Sequence, residues 1–317
     1  MQITHKKFGE TKHGKEVLLY TLTNKKGEYV QISTLGATIV SLFVKDNKDT
    51  LIDVVLGYDS VEKYEKNRSY VGAIVGRCAN RILGSAFKIG EKTHMLYSNL
   101  PNDVHLHGGK SGFNQKIWSG EVTQNTLQLS YLSVDGEEGY PANLKVCVSY
   151  EFTDDSELIL FYHATTDADT IVNLTNHAYF NLCGADNDYD ILSHTLQINA
   201  QQVTKVCDGT SKLGAFIEIA NTPLDFVKPK QIRLALDTKD PLITSVGGLD
   251  HNYSITNCGD SLALASVLNE PLTGIEMKTY TTKPGIQVYT ANYLKDDFCG
   301  KYGITYGPYF GVCMETQ

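Results

Sequence analysis

The stretch LKVCVSYEFTDDSELILFYHAT, Leu144 to Thr165, decides the fold class of this chain. From Leu144 to Phe152 apolar and polar residues alternate, and Leu158 to Thr165 is again rich in apolar and aromatic residues. The residues TDDSE between the two runs are typical of a turn. Alternation with a period of two, followed by a turn and a second run, predicts two β-strands.

The same strand pattern recurs on both sides of this stretch. Further strands are predicted over Tyr29 to Val44 (two strands broken near Gly36), Thr126 to Val134, His194 to Ala200, Gly274 to Thr281 and Ile286 to Asn292. Only Ser60 to Lys66 suggests a short helix, and no repeat or linker divides the chain. Many short strands with frequent turns predict an all-β chain, and we expect one large antiparallel β-sandwich domain over residues 1–317.

Composition excludes several classes of function. The net charge of -8 argues against nucleic acid or an anionic membrane as the main partner. The N-terminal MQITHKKFGE lacks the apolar core of a secretory signal, and no apolar run is long enough to span a bilayer. The seven cysteines are scattered and include no CxxC pair, which favours neither a disulfide framework nor a zinc site. We therefore expect reduced cysteines in a cytoplasmic protein.

The stretch NLTNHAYFNL, Asn173 to Leu182, is the strongest indication of a functional site. It places three asparagines, a threonine, a tyrosine and one histidine in a run that otherwise resembles a half-buried strand. Asparagine disfavours strands, and buried amides must be hydrogen-bonded. His177 has the side chain best suited to moving a proton near neutral pH. The alternative is a hydrogen-bonded core histidine with asparagines in turns, but the polar neighbours favour a site.

Asn80 and Arg81 are candidate ligand-binding residues. They follow GAIVGRCA, in which Gly72 and Gly76 indicate tight bends or a close approach of two backbones. Arg81 offers a planar fork of donors that suits paired hydroxyls or a carboxylate. An isolated arginine is more often part of an ion pair, but the adjacent amide of Asn80 favours recognition of a polyol.

Gln287 and Glu315 are candidates from the C-terminal part. Gln287 alternates with Ile286 and Val288 and therefore lies on the opposite strand face from both, at a site or towards solvent. Glu315 ends the apolar run YFGVCMETQ. A glutamate so near the end of the chain is most often solvated, whereas a buried one is suited to act as a base. Spacing alone does not decide between these alternatives.

Other chemistries are less well supported. The phrase GGKSG, Gly108 to Gly112, lacks both the earlier glycine and the following helix of a phosphate-binding loop. His105 and His107 form an HLH pair, but the sequence offers no HExxH motif or cysteine–histidine cluster to complete a metal site. A serine-hydrolase elbow GxSxG is absent. Two carboxylates could make a glycoside hydrolase, and Asp250 and Glu315 keep that alternative open.

Six phrases, taken together, resemble the aldose 1-epimerase (galactose mutarotase) family. They lie in the family's order over nearly the whole chain: VGRCANRI (Val75 to Ile82), LHGGKSGFNQKIW (Leu106 to Trp118), NLTNHAYFNL, GLDHNY (Gly248 to Tyr253), PGIQVYTAN (Pro284 to Asn292) and GVCMETQ (Gly311 to Gln317). One such phrase would be weak evidence, whereas six in order are highly specific.

The resemblance implies a galactose mutarotase-like supersandwich with an open sugar cleft and no metal or organic cofactor. It implies interconversion of the α and β anomers of aldohexoses such as galactose and glucose, with His177 as general acid and Glu315 as general base. The substrate-binding residues it implies are Asn80, Arg81, His107, Tyr179, Asp250 and Gln287. We expect no partner other than the small-molecule sugar, and a monomer or weak dimer.

Two departures from the family pattern keep alternatives open. Ala178 stands where the family often has serine, and the sequence continues for only two residues after Glu315, whereas relatives usually continue further. A frayed end would loosen the proposed base. One alternative is therefore a sugar-binding module without turnover. Another is an epimerase of hexose phosphates, which would call for a basic cluster where the motifs offer mainly Arg81.

Overall fold

The structure, a computed structural model, describes residues 2–207, 210–256, 259, 261–295 and 299–317, with side chains except at 206, 207 and 210–214. Strands make up 45% and helices 8% of it. Each strand pair with a described register is antiparallel, for example the pair Leu144–Phe152 with Leu158–Thr166. The prediction of an all-β antiparallel fold is confirmed.

The first half of the chain holds fifteen of the strands in the described residues. Their bounds are β1 Gln2–Glu10, β2 Glu16–Thr23, β3 Tyr29–Ser33, β4 Thr38–Lys45, β5 Leu51–Asp53, β6 Ile74–Val75, β7 Arg81–Leu83, β8 Ala86–Ile89, β9 Lys92–Met95, β10 Val104–Leu106, β11 Ser119–Thr123, β12 Thr126–Ser133, β13 Leu144–Phe152, β14 Leu158–Thr166 and β15 Thr175–Asn176. The α-helix of this half is α1, Val61–Lys66, and 3-10 turns cover Phe113–Gln115 and Glu137–Gly139.

The second half continues the series. Its strands are β16 Tyr179–Phe180, β17 Thr195–Ile198, β18 Ala200–Cys207, β19 Thr210–Glu218, β20 Lys230–Gln231, β21 Asp250–Ile255, β22 Ala263–Asn269, β23 Glu276–Thr281, β24 Gly285–Tyr289 and β25 Val312–Thr316. Its helices are α2 Ile232–Leu236 and α3 Pro241–Thr244, and a 3-10 turn covers Lys301–Gly303.

The chain divides into two compact units. Unit 1 comprises Met1–Leu42 and Tyr58–Asn176, and unit 2 comprises Phe43–Gly57 and His177–Gln317. The prediction of a single domain stays a prediction.

Unit 1 is built on two antiparallel sheets. One contains β1 to β4 in sequence order, and the other contains β11 to β14 in sequence order. Apolar residues that alternate along β2 and β13, such as Leu22 and Val148, are fully buried. The Tyr150 hydroxyl of β13 donates to the Ala37 carbonyl beside β4 at 2.6 Å, so a polar contact ties the two sheets together.

Unit 2 is also built on two antiparallel sheets. The larger has the order β16-β25-β24-β21-β18-β19, and the smaller has the order β20-β17-β22-β23. Ile286 and Val288 of β24 are fully buried, and Met314 of β25 contacts Ser266 of β22 at 3.7 Å. The larger sheet therefore turns one face towards the apolar core and leaves its other face for polar side chains.

Most predicted strands are confirmed, and their ends differ for identifiable reasons. The predicted break near Gly36 separates β3 from β4, and helix α1 begins after the Ser60 cap. The strand predicted over Ile286 to Asn292 ends at Tyr289. Beyond that point the Asn292 amide donates to the carbonyls of Val246 and Leu249, so the chain forms a loop that holds the start of β21.

The segment after Glu315 is paired rather than frayed. Gln317 and Gly285 exchange two backbone hydrogen bonds, of 3.0 and 3.1 Å, and Thr316 pairs with Ile286 in the sheet. Met314 and Thr316, the two neighbours of the predicted base Glu315, are therefore both held by the pairing of β25 with β24. The expectation that fraying would loosen Glu315 is not supported by this geometry.

The cysteines bear on the prediction of reduced thiols, and the helices bear on the prediction that no segment spans a bilayer. Cys78, Cys147, Cys183, Cys299 and Cys313 are free thiols. The Cys207 side chain and Cys258 lie outside the described residues. In the part of the chain that the structure describes, every helix is too short or too polar to cross a membrane.

Candidate active site

The polar face of the larger sheet in unit 2 carries the candidate site. Across β24 and β25 Gln287 is opposite Glu315, and Tyr289 is opposite Cys313. The same face continues onto the neighbouring strands β21 and β16, because Asp250 is opposite Tyr289 and Tyr179 is opposite Cys313. Cross-strand partners share a face, and so do residues two apart on one strand. The face therefore presents Tyr179, Asp250, Gln287, Tyr289, Cys313 and Glu315.

His177 lies against this face, just before β16. Its Nε2 atom is 3.6 Å from Oε1 of Glu315, and the two side chains are 5% and 2% exposed. That separation is longer than a direct hydrogen bond but close enough for strong electrostatic coupling. The structure thus brings the predicted acid and the predicted base together from distant parts of the sequence.

The charge on His177 depends on opposing influences. Burial lowers the pKa of His177 to about 4, from an ordinary value of 6.5. A hydrogen bond to its own backbone carbonyl and the nearby charge of Asp250 act in the other direction. In the free protein at neutral pH the imidazole is therefore mainly neutral.

Asp250 and Gln287 form a second polar pair on the same face. The Gln287 amide donates to Oδ1 of Asp250 at 2.6 Å. Asp250 is half-buried, while its neighbour His251 points to the opposite face and is buried, as expected for adjacent strand residues. The pair presents a carboxylate and an amide, which suit sugar hydroxyls as acceptor and donor.

Two tyrosines enclose the imidazole. The ring of His177 lies 5.0 Å from the Tyr179 ring and 6.3 Å from the Tyr289 ring, and the two tyrosines contact each other edge to face at 6.0 Å. Tyr179 is 1% exposed. Its ring packs against the His177 ring, so it helps to hold the imidazole in place. The prediction that Tyr179 binds substrate stays a prediction.

The asparagines around His177 are scaffolding. The Asn176 amide donates to the Gly72 carbonyl at 2.8 Å within unit 1. The Asn181 amide donates to the carbonyls of Tyr189 and Phe310, and its oxygen accepts from the Cys183 amide. These bonds fix the segment that presents His177, and they explain why amides interrupt a strand-like run.

In unit 1, Asn80, Arg81 and His107 form a hydrogen-bonded corner. Two hydrogen bonds join Asn80 and His107: the His107 backbone N–H donates to the Asn80 carbonyl, and the Asn80 backbone N–H donates to Nδ1 of the His107 side chain. Nη1 of Arg81 donates to Oδ1 of Asn80 at 3.1 Å. The Tyr70 ring packs edge to face on His107 at 4.8 Å. Three predicted sugar-binding residues are thus preorganised next to one another.

The loop after His107 explains the glycine-rich phrase GGKSG. Gly108 has a positive φ of 88°, and a side-chain carbon there would lie 1.8 Å from the Gly76 carbonyl oxygen. The Glu138 carboxylate accepts from the backbone amides of Lys110 and Ser111. The amides that a phosphate would need are thus occupied by a side chain of the same chain, in agreement with the rejection of a phosphate loop.

His105 has a structural role in unit 1. It is fully buried, its Nδ1 contacts the Tyr97 carbonyl at 2.7 Å, and its Nε2 contacts the Tyr140 hydroxyl at 2.6 Å. Both nitrogens are therefore engaged within the fold. His105 is a satisfied core histidine, and His107 alone of the HLH pair belongs to the candidate residues.

Comparison with known proteins identifies the family. The family model described as aldose 1-epimerase matches residues 18–317. The chain belongs to the aldose 1-epimerase family. It is 38% identical to the galactose mutarotase of Homo sapiens over 91% of the chain and 82% of that protein. It is 35% identical to the aldose 1-epimerase of Haemophilus influenzae, over 94% of the chain and 86% of that protein.

A solved structure of the same family supports the fold. The galactose 1-epimerase of Lactobacillus acidophilus superposes with a TM-score of 0.83 at 28% identity, over the whole chain and 90% of that protein. The predicted large antiparallel β-sandwich of the aldose 1-epimerase family is thus confirmed, as is the resemblance carried by the six phrases.

Two residues of the site did not emerge from sequence reasoning. Tyr289 and Cys313 lie on the polar face with Gln287 and Glu315, two residues away in each case. The spacing in the sequence could have identified both residues, because residues i and i+2 of a strand share a face. Once Gln287 and Glu315 are candidates, this rule predicts that Tyr289 and Cys313 line the same site.

Proposed function

We propose that this chain is an aldose 1-epimerase that interconverts the α and β anomers of aldohexoses such as galactose and glucose. In the proposal His177 is the general acid and Glu315 is the general base. Family membership supports the reaction, since the matched relatives are named galactose mutarotase and aldose 1-epimerase. The spacing of 3.6 Å between Nε2 of His177 and Oε1 of Glu315 supports the roles.

The reaction needs two proton transfers at neighbouring oxygens. Glu315 removes the proton of the anomeric hydroxyl while His177 delivers a proton to the ring oxygen, so that the bond between C1 and the ring oxygen breaks and an aldehyde forms. Rotation about the C1–C2 bond and reversal of both transfers give the other anomer. Both oxygens are bonded to C1, which suits an acid and a base that lie side by side. Each such group typically contributes roughly 10²–10⁴-fold in rate.

The pair needs one proton in total. Because His177 and Glu315 interact strongly at 3.6 Å, their protons are lost in two steps that belong to the pair. The reactive form is the singly protonated pair with the proton on His177. Burial disfavours this arrangement in the free protein, and the Asp250 charge favours it. Asp250 thus supports the acid role electrostatically.

The remaining predicted residues bind sugar hydroxyls in this proposal. Asp250 and Gln287 supply an acceptor and a donor beside the acid–base pair. Asn80, Arg81 and His107 stay predicted substrate-binding residues, and their substitution should raise KM more than it lowers kcat. The cytoplasmic location and the monomeric or weakly dimeric state also stay predictions.

Polarimetry tests the proposal. Freshly dissolved α-galactose and α-glucose should equilibrate faster with the protein than without it, and Glu315→Gln should remove most of the acceleration. Equal, slow equilibration with wild type, the variant and buffer would reject the enzymatic assignment. Galactose binding by calorimetry without acceleration would instead support the sugar-binding module. Acceleration confined to hexose phosphates would support the phosphosugar alternative.

A further inference from the structure

The second nitrogen of the His177 imidazole faces a thiol. Nδ1 lies 3.5 Å from Sγ of Cys313, which is completely buried on β25. We propose that Cys313 is a positioning residue that fixes the ring orientation and tautomer of His177, an inference that rests on the proposed acid role of His177. In this arrangement Nδ1 carries a fixed proton, and Nε2 is the nitrogen that exchanges protons.

One strand contacts both edges of the ring. Cys313 and Glu315 are two residues apart on β25, so their side chains leave the same face roughly 6.5–7 Å apart along the strand. His177 lies between them, with Nδ1 at 3.5 Å from the sulfur and Nε2 at 3.6 Å from the carboxylate. The spacing Cys-x-Glu thus gives the two nitrogens chemically different partners.

The sulfur is neutral, which determines what it can do. Burial raises the pKa of the Cys313 thiol well above its ordinary value, and the charges of Glu315 and Asp250 raise it further. A thiol sulfur is a weak acceptor, so it can face an N–H without competing for its proton.

The backbone also favours a proton on the ring. A hydrogen bond to the backbone of His177 acts to raise the pKa of the imidazole, and Nδ1 is the ring nitrogen nearer the main chain. The Tyr179 hydroxyl hydrogen-bonds the same sulfur, so Cys313 is held from another side. A ring flipped by 180° about the Cβ–Cγ bond would turn the carbon Cδ2 towards the sulfur and the carbon Cε1 towards Glu315, so both nitrogen contacts would be lost. The thiol therefore favours the orientation in which Nδ1 faces the sulfur and Nε2 faces the base.

Two substitutions separate positioning from general stability. Cys313→Ala removes the sulfur and should lower kcat by roughly two- to tenfold, the effect of one net hydrogen bond, while KM is unchanged. Cys313→Ser keeps a polar group at the same place and should restore most of kcat. Cys299→Ser is the matched control, because Cys299 is an exposed free thiol elsewhere in the same unit.

Nitrogen NMR of ¹⁵N-histidine protein is the decisive readout, combined with polarimetric kcat and KM. We expect wild-type His177 in the tautomer with the proton on Nδ1, and a mixture of tautomers in Cys313→Ala. A wild-type Nε2–H tautomer would overturn the proposal, and so would a Cys313→Ala variant with unchanged tautomer and kcat. The tautomer is measured without turnover. If the wild type does not accelerate mutarotation, the proposed function fails while the positioning claim is still judged on its own.

Discussion

The charge state of His177 in the free protein is open to direct measurement. Burial lowers the pKa of His177 to about 4, which is three units below pH 7. At pH 7 roughly one molecule in 10³ therefore carries an imidazolium, and placing that proton costs about 4 kcal/mol. An ordinary exposed histidine would be protonated in a substantial fraction of molecules under the same conditions.

This charge state has a kinetic consequence. The rate should follow the population of the singly protonated pair, so kcat/KM plotted against pH should be bell-shaped. On each side of the maximum kcat/KM should fall tenfold per pH unit, because the pair of His177 and Glu315 gains one proton on the acid side and loses one on the alkaline side. Replacing Glu315 by glutamine removes a negative charge 3.6 Å from Nε2 of His177. The His177 pKa should then fall further, and the residual activity should lose the acid flank that belongs to the pair.

NMR of the histidine side chains over a range of pH measures the charge state of His177. We expect the His177 resonances to stay those of a neutral ring from pH 8 down to roughly pH 5. A His177 midpoint at or above 6.5 in the free protein would refute the claim that burial controls its charge.

Three further predictions concern other residues. Burial lowers the pKa of His251 to about 4. Between pH 6.5 and 4 the unfolded chain therefore binds more protons than the folded one. The free energy of unfolding should fall by roughly 3 kcal/mol as the pH is lowered through that range. Urea unfolding at pH 7 and pH 4.5 should show a smaller difference for His251→Asn than for wild type. Gly248→Ala puts a carbon 2.2 Å from Oδ1 of Asn292 and should cost about 1–3 kcal/mol, seen as a lower Tm; an unchanged Tm would contradict the contact. Gln287→Leu removes the 2.6 Å donor to Asp250 and should raise KM roughly tenfold or more; an unchanged KM would exclude a binding role for that pair.

Two of the strands that the sequence predicted, Thr126–Ser133 and Leu144–Phe152, have one buried face. Leu144–Phe152 alternates because its even-numbered residues are buried in the core, and its observed bounds match the predicted ones. Gln2–Glu10 escaped prediction because it is an edge strand with mostly exposed residues and no apolar alternation. Burial of one strand face produces the alternation of apolar and polar residues by which a strand can be predicted, and strand propensity alone does not.

The site was predictable as a set of residues but not as a geometry. His177 and Glu315 emerged from local polar patterns and family motifs, yet their 3.6 Å contact depends on the pairing of β16 with β25. The contact of Tyr70 with His107 depends on positive φ angles at both residues, for which neither side chain gives a signal. Long-range register and unusual backbone conformations are the parts that single-sequence reasoning cannot reach.

The rate of mutarotation in two variants tests the central claim most directly. His177→Asn and Glu315→Gln should each slow the polarimetric equilibration of α-galactose by roughly 10²–10⁴-fold. Both variants should keep the wild-type circular dichroism spectrum and still bind galactose in calorimetry. A folded His177→Asn or Glu315→Gln variant with wild-type kcat would contradict the assignment of acid and base to this pair.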